Sequence, residues 1–93
     1  MKGDDFFMKI VSKEIDIITV FEKSGYIKPI KFRLEDEDST KVIKVDKVLD
    51  CVSSNFAGEN LLIYKCQSLI GDSIKLFEIK YEKRTCKWYL YKI

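Results

Sequence analysis

The sequence predicts one all-β domain, a small barrel or rolled antiparallel sheet of SH3-like or OB-like size with about six strands. Three observations carry that expectation. Apolar and polar residues alternate with period two from Pro29 onward. Turn-forming residues interrupt the alternation at short intervals, at "EDEDS", "SSNFAGEN", "GD" and "KRT". The chain has 93 residues, 46% of them hydrophobic, with one proline and four glycines, a composition suited to a single folded core.

The first third of the chain reads two ways. "KIVSKEIDIITVFEKSG" places Val11, Ile15 and Ile18 on a helical stripe with Gly25 as a stop signal. It also alternates as a strand through Ile15, Ile17, Thr19 and Phe21, and β-branched residues pack better on a pleat than on a helix. The strand is the preferred reading, with a short N-terminal helix as the alternative. Residues 1–13 are expected to form a loosely attached arm and residues 14–93 the β domain. Phe6 and Phe7 in that arm would be costly to leave in water and are expected to dock.

"EKSGY" reads as a hairpin loop leading into "PIKFRL", where Ile30, Phe32 and Leu34 share one face and Lys31 and Arg33 the other. Pro29 has no N–H for a ladder, so this strand should begin there or lie at an edge. "TKVIKVDKVLD" reads as one strand whose apolar face changes phase, with a bulge near Asp46 and Lys47. "LLIYKCQSLI" is long enough for a strand, with an ambiguous inward face. Gly71 and Asp72 make a hairpin turn into "SIKLFEIKYE", which turns Phe77, Ile79 and Tyr81 inward. "TCKWYLYKI" closes the fold, with Cys86, Trp88, Leu90 and Lys92 on one face and Lys87, Tyr89, Tyr91 and Ile93 on the other.

Charge and composition narrow the function classes. Seventeen basic residues stand against fifteen acidic ones, a net charge of +2, too even for a protein devoted to neutralising phosphates. There is no histidine, which removes the usual general base and metal ligand. Glu35, Asp36, Glu37 and Asp38 fall in one run that reads as a solvated loop, and Gly25, Gly58 and Gly71 are isolated turn glycines rather than a phosphate loop. Cys51, Cys66 and Cys86 lack any C-x-x-C unit and read as buried small hydrophobes; a zinc site would need ligands from carboxylates or a second subunit. The expectation is a protein without catalysis, cofactor or metal. With no apolar run of membrane length and no signal-peptide pattern, it is expected in the cytoplasm and off the membrane.

Two surfaces are candidates for binding. If Trp88 and Leu90 fill the core, Tyr89 and Tyr91 stand outward beside Lys87, where they could stack unpaired bases or cover another part of the chain. Lys31 and Arg33, with Lys28 before them and Lys44 on a neighbouring strand, could follow a phosphate backbone or form an ordinary solvated face. Outward tyrosines also suit an interface between subunits. The expected role is a binding or self-association module acting on an unidentified protein partner or as a homodimer. Single-stranded nucleic acid is the alternative ligand, and carboxylates from distant strands acting as an enzyme come third.

The ordered blocks "KPIKFR", "VIKVDKVL", "AGEN", "YKCQS", "FEIKYE" and "TCKWYLYKI" resemble a family of short uncharacterised proteins of Gram-positive anaerobic bacteria, over roughly residues 14–93. The resemblance implies a stand-alone bacterial domain with the C-terminal block as its recognisable end. It carries no functional residues with it.

Overall fold

Ile10–Phe21 is a strand, β1, which decides between the two readings of the first third: β-branched crowding outweighs the helical stripe. The computed structural model describes residues 8–55 and 60–93 and contains no helix among them. Six further strands follow: β2 (Ile27–Glu35), β3 (Thr40–Lys44), β4 (Lys47–Ser54), β5 (Leu61–Ile70), β6 (Ser73–Glu82) and β7 (Lys87–Lys92). Ile10 to Lys13, assigned above to the arm, therefore belong to the sheet. Ile10 faces Lys92 and Lys13 faces Leu90, with a bulge between them where Ser12 takes a positive φ of 44°. Residues 1–7, and residues 56–59 of the expected "SSNFAGEN" loop, lie outside the described residues.

All seven strands form one antiparallel sheet in the order β3-β2-β1-β7-β6-β5-β4. The strand expected over residues 40–50 is two strands, which is why seven appear rather than six. Its phase change at Val45 and Asp46 is a strand switch: β3 pairs with β2 at one edge of the sheet and β4 pairs with β5 at the other. Two residues span only about 11 Å between flanking Cα atoms, so opposite edges joined by them must lie close together. The sheet is rolled accordingly, yet its ladder is not closed, since no rung joins β3 to β4. It is not the closed barrel that was one form of the expectation.

Ser68 on β5 fixes the corner where the edges meet. Its hydroxyl donates to the Lys44 carbonyl at 2.5 Å and accepts from the Asp46 N–H at 3.1 Å. The Asp46 carboxylate in turn accepts from the Leu69 N–H at 2.8 Å. Ser68 is the buried polar side chain of the core, and its burial is tolerable because both bonding roles are filled.

Pro29 lies inside β2, a central strand, rather than at its start or at an edge. The register with β1 shifts there, from Ile18 opposite Lys31 to Thr19 opposite Pro29, so the missing N–H falls at a bulge. Thr19 Oγ1 donates to the Lys28 carbonyl at 2.8 Å beside it.

The rolled sheet encloses one core of Ile15, Phe32, Ile43, Tyr64, Cys66, Phe77, Ile79, Tyr81, Trp88 and Leu90. Phe32 of β2 meets Phe77 of β6 edge-on at 5.6 Å, across the interior rather than along the sheet. Trp88 is stacked between Tyr81, at 4.5 Å, and Tyr64, at 5.6 Å. The Tyr64 hydroxyl donates to the Ile27 carbonyl at 2.5 Å and so ties β5 to β2. The hairpin at Gly71 forms as expected, with a φ of 63° that a glycine adopts without steric cost.

Candidate functional site

Alternation in β7 puts Trp88 and Leu90 in the core and turns Tyr89 and Tyr91 to the other face of the sheet, where both are half-buried. The four-residue turn 83–86 pairs Glu82 with Lys87, and that register places Lys80 opposite Tyr89. Lys80 Nζ lies 5.1 Å from the Tyr89 ring centre and 4.9 Å from that of Tyr91, while Lys92 Nζ lies 5.1 Å from Tyr91. Ammonium groups held over the rings are cation–π contacts. The lysines therefore occupy part of the aromatic surface that a nucleobase would need. Lys80 is missing from the residues picked out by sequence, although counting back from the turn would have found it.

Lys31 and Arg33 are exposed on β2, two strands from β7 in the sheet. Lys31 pairs with Lys44 in register, as the basic-face reading requires. Between this patch and the tyrosines runs β1, whose outward residues Glu14 and Asp16 are acidic. Asp16 accepts from Arg33 at 2.6 Å, and Glu35 lies 3.4 Å from the same guanidinium. Hydrogen bonding to Asp16 raises the Arg33 pKa further above its ordinary value. Glu14 stands 3.8 Å from the Lys87 ammonium. The five candidate residues Lys31, Arg33, Lys87, Tyr89 and Tyr91 thus form two groups on one sheet face, separated by a strand that neutralises one cation of each.

Lys31 and Arg33 border apolar side chains as well as Asp16. Their side chains line a cleft of about 310 Å³ together with Ile17, Ile18, Phe32 and Val42. Ile18 is 55% exposed and Val42 62% exposed, and Val20 continues the exposed apolar line along β1. Lysine and arginine stems commonly cover such surface while the charged heads stay in water. The sequence carries this signal weakly: Val42 and Ile18 have the outward parity of their strands, but single exposed apolar residues are ordinary.

The three cysteines are far from equivalent, which corrects their reading as buried hydrophobes. Only Cys66 is buried, on β5; Cys51 is exposed on β4 and Cys86 is exposed in the turn before β7 with a positive φ of 60°. Burial pushes the Cys66 thiol up to about 12 and also raises the Tyr64 hydroxyl. A thiol held protonated is a poor nucleophile. Among the described residues no three histidine, cysteine or carboxylate side chains gather as metal ligands, and no helix is long and apolar enough to cross a membrane.

No family model, curated protein or solved structure matches this chain.

Proposed function

We propose that the protein is a non-catalytic self-association module of the bacterial cytoplasm, whose contact surface is the outer face of β1, β2 and β3. The observation that carries this reading is the cleft where Ile18 and Val42 stand exposed, rimmed by Lys31 and by the Arg33–Asp16 pair. An apolar centre inside a charged rim is the usual anatomy of a protein interface. The rim holds both signs, so a two-fold axis can set Arg33 of one copy against Asp16 of another without like-charge contact. Sedimentation and light scattering across a wide concentration range test this. The wild type is expected to gain mass with concentration, and Val42→Asp or Ile18→Asp to remain monomeric. A wild type that stays monomeric throughout overturns the reading.

Single-stranded nucleic acid is the rival ligand, favoured by the outward Tyr89–Lys80–Tyr91 cluster. Labelled oligonucleotides titrated at low salt distinguish the two. Saturable binding lost in Tyr89→Ala, with Val42→Asp binding as wild type, would favour the rival.

A further inference from the structure

Both ends of the described chain meet at a groove separate from the Ile18–Val42 face. Lys9 N–H donates to the Ile93 carbonyl at 2.8 Å, and Ile93 N–H donates back to the Lys9 carbonyl at 3.0 Å. This reciprocal pair holds Met8 and Ile93 together in the wall of a groove of about 540 Å³. Its apolar lining comes from Leu34, Ile43, Ile70, Ile74 and Leu76, contributed by β2, β3 and the β5–β6 hairpin. Ile74 is 59% exposed and Ile93 is exposed as well, so the lips of the groove are apolar and uncovered. Lys41 and Lys75 stand at the groove and make no ion pair among the described residues.

The seven residues preceding Met8 read "MKGDDFF". Their chemistry complements the groove: two phenylalanines and two aspartates for an apolar lining and two lysines. Met8 is itself in the groove wall, and each residue of extended chain spans about 3.3–3.6 Å, so the segment attached to Met8 is long enough to run along the groove. We propose that the groove is a binding site for a short acidic–aromatic segment, and that its occupant is residues 1–7 of the same chain. Attachment at Met8 gives this segment a high effective concentration, which any competing segment must overcome. The groove is in that sense a self-occupied peptide site.

The test uses the full chain. In isotope-labelled wild type, Phe6 or Phe7 ring protons should show NOEs to the methyls of Ile74, Ile93 or Leu76, and ring currents should move those methyl signals. Phe6→Ala/Phe7→Ala should abolish the NOEs and shift the methyls. A synthetic peptide of residues 1–9 added in trans should then restore them, with at least tenfold weaker binding to the wild type, whose groove is filled. Asp4→Lys/Asp5→Lys should bring a partial loss that added salt reproduces. Identical methyl spectra for wild type and the double alanine variant overturn the proposal. NOEs seen only between differently labelled copies in a mixed sample overturn it too, since the occupant would then be a neighbour's arm.

Discussion

Trp88 shows how much one side chain's placement settles. With its ring stacked between Tyr64 and Tyr81 it is a core residue, and Tyr89 and Tyr91 face outward as a consequence of period two. Cys66 lies in the same core, and its burial has a measurable consequence. The thiol's ordinary value of 9.0 is raised to about 12 in the folded chain. Below pH 9 both folded and unfolded states hold the proton, and this group adds no pH dependence. Above it the unfolded chain releases the proton while the folded chain keeps it, so stability falls as pH rises toward 12. One such group contributes a slope of up to about 1.4 kcal/mol per pH unit. Urea titrations at pH 8, 9.5 and 10.5 should show this loss, and Cys66→Ala should reduce it. The raised Tyr64 hydroxyl acts with the same sign from pH 10 upward, so some alkaline slope persists in that variant.

Among the elements, the β3–β4 junction has the largest effect on the fold. It was legible in sequence as a change of apolar phase near Asp46, but a bulge and a strand switch leave the same trace. The difference is made by Ser68, which is 22 and 24 residues away along the chain from the two groups it bonds. Ser68→Ala would leave the Lys44 carbonyl and the Asp46 N–H without this partner at a partly buried corner, at a cost of about 1–3 kcal/mol. Chemical denaturation measures that cost. Hydrogen exchange should show faster exchange at the Asp46 amide than at the Phe77 amide, which lies in the centre of β6. Pro29 is a comparable case: its lack of an N–H pointed to an edge, and the bulge opposite Thr19 is what admits it to a central strand.

At the scale of the whole molecule, rolling the sheet places outward residues of β1, β2 and β3 on one face and gathers Met8 and Ile93 at one groove. If copies associate through that face as proposed, folding is linked to concentration, because the associated state is reached only from the folded one. The wild type's Tm should therefore rise over a hundredfold increase in protein concentration, and the Tm of Val42→Asp should not. Scanning fluorimetry and calorimetry give the two ends of that range. A Tm that is constant for both proteins would count against association at the concentrations sampled.

The sequence by itself determined the fold class, the strand character of most segments and the inward face of β2, β6 and β7. Those follow from local alternation and turn chemistry, which each segment carries within its own residues. It did not determine how the β1–β2 hairpin joins the C-terminal meander, the split of residues 40–50 between opposite edges, or the exposure of Cys51 and Cys86. Nor did it bring Lys80 between two tyrosines, set Asp16 against Arg33, or surround Lys31 with Ile18 and Val42. Each of these depends on which strands become neighbours, and that is decided by contacts between residues far apart in the chain. Parity says which way a side chain faces, and only the rolled sheet decides what it meets there.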